Sequence, residues 1–175
     1  MNKYLLVLLF SITIFSCSSQ EKKTNIVNGI KIIETYKSGK VINQEVYHKN
    51  GKLDHIGDFK NSKPHGKWVS YHENGNVSKI EHFNKGIKSG EFKWFYENGN
   101  ERAIGTYKKN KQIGEWKRFY ENGNIKDVSQ NKGNGIVKYE SFYENGNTES
   151  KGEFENGIQI GKGEFYDENG KLTEK

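Results

Sequence analysis

The chain has 175 residues, with 28 Lys+Arg against 22 Asp+Glu for a net charge of +6, and it carries 20 glycines, one proline and one cysteine. Apolar content of 32% excludes a thick aliphatic interior, whereas 13% aromatics can bury rows of rings on a thin sheet. The lone cysteine excludes an intramolecular disulfide, and the mild positive balance does not announce nucleic acid.

Residues 1–16 open with Lys3 and continue as the mostly apolar run Tyr4–Phe15, too short to span a bilayer comfortably. This reads as a secretory signal peptide. The run ends in Ile14-Phe15-Ser16-Cys17 and is followed by Ser18-Ser19-Gln20, which resembles a bacterial lipobox. On that resemblance Cys17 becomes the lipidated first residue of the mature chain, and Ser18 points to the outer membrane. The competing reading is an ordinary cleaved signal with an incidental cysteine. Loss of Lys3 leaves 27 basic and 22 acidic side chains, a net of +5. The polar stretch 17–24 is expected to be a tether between lipid and fold. Residues 25–46 are expected to form an N-terminal capping hairpin, with a strand from Ile30, a turn at Lys37–Lys40 and a return strand from Val41.

From residue 47 to 175 the chain repeats. Tyr-Glu-Asn-Gly-Asn stands at Tyr96–Asn100, Tyr120–Asn124 and Tyr143–Asn147, with looser copies at Tyr47–Lys52, Tyr71–Asn76 and Tyr166–Lys171. The glycines Gly51, Gly75, Gly99, Gly123, Gly146 and Gly170 are 24, 24, 24, 23 and 24 residues apart. A fixed period in this range marks a repeat array, and Asn-Gly suits the two positive φ angles of a type I′ hairpin turn. Each copy is therefore expected to be a hairpin tip. Second turns fall between the tips, as Lys60–Pro64, Asn84-Lys85-Gly86, Lys109-Asn110-Lys111 and Glu155-Asn156-Gly157, each followed by Gly66, Gly90, Gly114 or Gly161. The expected fold is all-β: a single-layer antiparallel hairpin array of twelve or so strands. Open sheets rarely exceed about ten strands without curling, so strong twist or curvature is expected.

Aligned on the tip glycine, the units show aromatic columns at Phe59, Phe83, Tyr107 and Phe154, at Trp68, Phe92, Trp116 and Tyr139, and at His72, Tyr96, Tyr120 and Tyr143. This pattern resembles the MORN repeat in its bacterial variant form, over about Tyr47–Leu172. The resemblance implies single-layer hairpin stacking and no catalytic residues. Bacterial proteins of this kind are often labelled antitoxin components, and eukaryotic arrays are associated with membrane attachment and scaffolding. Two departures stand out. The fourth unit is one residue short and replaces its aromatic with Asn131 within Gln130–Gly135, which reads as a kink or a functional loop. The last unit has Gly163 in the Trp116 column, as a terminal repeat with no neighbour to cover would.

No catalytic constellation emerges. His48 and His72 are equivalent positions two strands apart, about 9.6 Å, too far for ligands sharing one zinc ion. Glu73, Glu97, Glu121, Glu144 and Glu168 form a ladder at the same pitch, whereas catalysis needs one site. There is no phosphate loop. An enzyme, a metal and a cofactor are not expected. Period two puts Trp116, Arg118 and Tyr120 on one face, and the row Trp68, Phe92, Trp94, Tyr96, Trp116, Arg118, Tyr120 and Tyr139 has the composition of an interface hot spot. One long edge collects Lys60, Lys63, Lys85, Lys88, Lys108, Lys109 and Lys111; this edge is either solvating or a surface for anionic lipid or an acidic protein. The leading expectation is a lipid-anchored, non-catalytic envelope scaffold that binds a protein or an envelope polymer. An antitoxin-like or immunity role is the rival, and anionic-lipid binding is the third reading.

Overall fold

The alternating stretches fold into one antiparallel meander. A computed structural model describes residues 19–174 of the chain. The strands are β1 Gln20–Val27, β2 Ile30–Lys37, β3 Lys40–Tyr47, β4 Leu53–Lys60, β5 Lys63–Tyr71, β6 Val77–Asn84, β7 Ile87–Lys88 and β8 Gly90–Phe95. The remainder are β9 Glu101–Lys108, β10 Lys111–Phe119, β11 Ile125–Gly133, β12 Ile136–Phe142, β13 Thr148–Glu155, β14 Ile158–Tyr166 and β15 Leu172–Glu174. All pair in sequence order within one sheet, with the two-residue β7 appended to β6. The expected all-β hairpin array is what forms, with 15 strands among the described residues rather than twelve or so.

Part of the difference lies at the N-terminal end. Residues 20–24, expected as tether, belong to β1, which pairs with β2 along its whole length. Asn28-Gly29, with φ of 51° and 79°, makes the tight turn that returns the chain, so polar composition did not prevent pairing. The segment expected to be a capping hairpin is thus the end of a three-stranded run, β1–β3. Cys17 and the signal segment lie outside the described residues.

Turn chemistry departs from expectation in an informative way. The type I′ turns with two positive φ angles are the second turns: Lys85-Gly86 at 52° and 84°, Lys109-Asn110 at 52° and 64°, Asn156-Gly157 at 51° and 85°. At the Asn-Gly tips only glycine is left-handed, as in Gly123 at 93°. There the Gly123 N–H donates to the Tyr120 carbonyl and the Tyr120 N–H to the Asn124 carbonyl, which closes a three-residue loop with a glycine bulge. The asparagine stays right-handed because its Oδ1 accepts from the N–H two residues on, 2.9 Å from Asn122 to Asn124. The tips are hairpins as expected, and their turn type is not the expected one.

Gly66, Gly90, Gly114 and Gly161 are left-handed and sit where the pairing register shifts after each second turn. The fourth unit lacks this glycine and places its bulge on the preceding strand instead, between Asn131 and Gly133. Asn131 Oδ1 accepts from the Gly133 N–H at 3.1 Å, and Asn134-Gly135 closes the turn. The segment is an ordered hairpin with a displaced bulge, not a loop.

With one layer there is no second sheet to pack against, so burial falls mainly on one face. Val46, Phe92, Ala103, Trp116, Asp127 and Ser141 are buried, and register places all of them on the same face, whereas buried Thr35 lies on the other. The opposite face carries the row Ile56, Val69, Ile80, Lys93, Ile104, Lys117, Val128, none of it fully buried.

Candidate functional site

Rings run in contact across the buried face. Phe59 and Trp68 lie 5.2 Å apart, Trp68 and Phe83 6.2 Å, Phe83 and Phe92 6.1 Å, Phe92 and Tyr107 4.5 Å, and Tyr107 and Trp116 5.0 Å, each edge to face. Such pairs add about 0.5–1.5 kcal/mol beyond burial. The two large indoles fit because glycine faces them on the preceding strand. A Cβ on Gly57 would stand 2.1 Å from Trp68, and one on Gly105 2.1 Å from Trp116. Where the ring is the smaller Phe92, the matching position holds Glu81.

The row stops after Trp116 and resumes with Tyr139 and Phe154, 6.3 Å apart. Asn131 stands where the other units put Phe59, Phe83, Tyr107 and Phe154, so the gap follows from one residue type. Two adjoining depressions on this face share Arg118, the smaller at the break and the larger beside it over β6–β10. One, of about 400 Å³, has Ala103 as floor, Trp94 as wall, and Lys79, Arg102 and Arg118 around it. The other, of about 220 Å³, is lined by Gln112, Trp116, Arg118, Asp127, Ser129 and Tyr139.

Charge in the gap is uneven. Arg118 Nε donates to both oxygens of Asp127, at 2.9 and 2.8 Å, and Asp127 is 3% exposed. That hydrogen bond, ahead of the opposing effect of burial, raises the Arg118 guanidinium above its ordinary value. Burial, then the Asp127 charge, raises the Tyr139 phenol. Arg102 is the extra residue of the bulge beside Phe95; its guanidinium lies 5.9 Å from the Tyr96 ring and enters no ion pair among the described residues. The Trp116 Nε1–H is buried with no partner, whereas the equivalent Trp68 Nε1–H donates to the Asp58 carbonyl at 3.1 Å.

The residues expected to share an aromatic face divide into three groups. Phe92 is fully buried and Trp116 7% exposed, so both act as core, since a single sheet can shield a ring only with its neighbours. Tyr96 and Tyr120 are committed at the tips, donating their hydroxyls to the carbonyls of Phe119 and Phe142 at 2.7 and 2.9 Å. Trp68, Trp94 and Tyr139 stay half-exposed, and Arg118 shares one depression with Trp94 and the other with Tyr139. Sequence reasoning missed Ala103 and Asp127. The available signal was their column, His55, Lys79, Ala103, Asp127, Ser150, which changes from unit to unit while the tip columns do not.

Tips and second turns occupy opposite long edges. His48 and His72 contact the carbonyls of Tyr71 and Phe95 at 3.0 Å, the role their tyrosine equivalents play, and so serve as structural donors through Nε2. On the other edge Lys60, Lys63, Lys85, Lys108, Lys109 and Lys111 are exposed. Lys88 is not free: it pairs with Glu81 at 3.3 Å and lies 5.2 Å from the Phe92 ring.

The MORN repeat variant family matches residues 40–61, 64–85, 88–109, 112–129, 136–156 and 159–175. The chain belongs to this family. Its first MORN unit begins at residue 40, inside the segment expected to be a cap, and its boundaries fall at the second turns, so each unit is strand, tip, strand. MORN arrays point to a scaffold-like binding role. No curated protein matches the chain. Among solved structures, the Glycosylation Associate Protein (Gap123) complex from Streptococcus agalactiae is similar at 17% identity and a TM-score of 0.36, over 63% of this chain and 19% of that one. The chain thus spans about a fifth of that protein's length, and a likeness this low carries no argument.

Proposed function

We propose that the protein is a non-catalytic scaffold of the bacterial cell envelope, anchored through lipidated Cys17, whose ringed face holds a partner. The observation that supports this reading is the pair of depressions at and beside the gap in the ring row, lined by half-exposed Trp94 and Tyr139 and the cations of Arg102 and Arg118. Such a mixture concentrates binding energy at interfaces. Repetition of every other feature argues for a structural task elsewhere in the array.

A photo-crosslinking residue in place of Arg102 in cells should yield an adduct of defined mass. The same residue in place of Lys117, on the opposite face, should yield none. Equal adducts from both faces, or none from Arg102, would dismiss the ringed face as the binding surface. Fractionation with and without Cys17→Ala tests the anchor: the variant should leave the membrane fraction.

A second reading has its own observation. Among the described residues none of Lys60, Lys63, Lys85, Lys108, Lys109 and Lys111 forms an ion pair, so one edge offers unneutralised charge to anionic headgroups. Binding to anionic vesicles that falls steeply with salt supports it, and equal binding to neutral vesicles refutes it.

A further inference from the structure

The geometry points to an acidic peptide segment of a partner protein as the occupant of the larger depression, seated with a carboxylate between Lys79, Arg102 and Arg118. This rests on the scaffold reading above and adds the chemistry of what is held. Four observations converge on it.

First, the cations are in register across adjacent strands. Lys79 pairs with Trp94, Trp94 with Ala103, and Ala103 with Arg118, so one ridge of the sheet reads cation, indole, methyl, guanidinium. The small buried Ala103 makes the depression, and Trp94 gives it an apolar wall.

Second, the positive charge is only partly answered. Lys79 meets Glu81 at 3.6 Å, Arg118 uses Nε alone on Asp127, and Arg102 enters no ion pair among the described residues. The terminal nitrogens of Arg118 keep the planar fork that takes a carboxylate two-handed.

Third, the side chains lining this depression offer donors and no acceptor: Lys79, Arg102 and Arg118 are cations, Trp94 is an indole and Ala103 a methyl group.

Fourth, the occupant's class follows from this imbalance. A neutral sugar presents hydroxyls that need acceptors as well as donors, and these side chains supply none of the former. A peptide bearing Asp or Glu offers carboxylates to the cations and side-chain carbon to Trp94. Recognition of acidic motifs by clustered arginines is a recurring mode.

The test uses the full-length chain in neutral detergent micelles and a labelled short peptide of alternating Glu and Gly, with its Gln counterpart and oligomannuronate as comparisons. The Glu peptide should bind about tenfold or more tightly than the Gln peptide, with quenching of tryptophan fluorescence. The Lys79→Gln/Arg102→Gln variant, which removes two partly exposed side chains and should melt as the wild type does, should lose about tenfold in affinity. Lys108→Gln/Lys109→Gln, on the lysine edge, should bind as the wild type does. Equal binding of the Gln peptide, or undiminished binding by a folded Lys79→Gln/Arg102→Gln variant, would overturn the proposal. Tighter binding of oligomannuronate would put an acidic sugar in this depression and overturn the peptide. A crosslink at Arg102 without binding of the Glu peptide would leave the scaffold reading standing and this one refuted.

Discussion

Glycine at 57 and 105 has a packing reason: each lies under an indole that leaves no room for a methyl group. Gly105→Ala should lower stability by about 1–3 kcal/mol through displacement of Trp116, read as a fall in the urea midpoint. Gly152→Ala is the contrast, because a Cβ there meets only Phe154 at 3.5 Å, an ordinary contact. Its midpoint should move little. Tyrosines give a second residue-scale test. The phenols of Tyr120, Tyr139 and Tyr143 are all raised above the ordinary value of 10.0, with burial the first cause in each. A raised phenol holds its proton more tightly in the folded state than in the unfolded chain. Its contribution is therefore complete below about pH 10 and is lost as pH rises through the folded value. The urea midpoint should hold from pH 7 to 9 and fall above about pH 10; a midpoint that rises there would contradict the assignment.

At the scale of the element, the tip is a clamp between units as well as a turn. Asn98 and Asn100 both donate to the Glu121 carbonyl, at 3.2 and 2.9 Å, while the Tyr96 hydroxyl reaches the Phe119 carbonyl of the same neighbour. Beyond the copy at Tyr166–Lys171 no further tip stands among the described residues, and Asp167 takes the tyrosine column. Its Oδ1 accepts from the N–H groups of Asn169 and Lys171, so the tip closes on itself. Tyr120→Phe, which removes one such bond to Phe142, should cost about 1 kcal/mol in thermal or urea unfolding. Hairpin positions and the edge on which each turn lies were legible, because Asn-Gly recurs at a fixed interval. The turn type was not, since an asparagine that bonds its own backbone stays right-handed before glycine, and composition alone does not say which asparagine will. The pairing of Trp68 and Trp116 each with a glycine eleven residues earlier is present in the sequence, but its meaning shows only in the register that stacks ring on glycine. The site was half legible: Arg118 and Trp94 stand out as an arginine and an indole, but Asp127 and Ala103 gain meaning only once register sets them beside their partners.

Across the molecule, constant columns build the array and changing columns write the site. The tip residues and most ring positions recur because every unit meets the same neighbour, as in a one-dimensional stack of modules. The positions that vary, Ser70, Trp94, Arg118 and Ser141 on one side and Lys79, Ala103, Asp127 and Ser150 on the other, lie next to one another on the buried face. The array also carries a trade between stability and an open surface, because an aromatic at 131 would close the ring row. Asn131 makes only two local bonds, to the Gln112 carbonyl at 3.1 Å and from the Gly133 N–H. Replacing it with a ring forfeits about 1 kcal/mol each for these and returns about 1.5–3 kcal/mol of burial plus the edge-to-face contacts. The thermal midpoint of Asn131→Tyr, set beside that of the wild type, therefore tests most directly whether a continuous row of rings holds this single sheet together. A higher midpoint is the predicted result; an unchanged or lower one would contradict it.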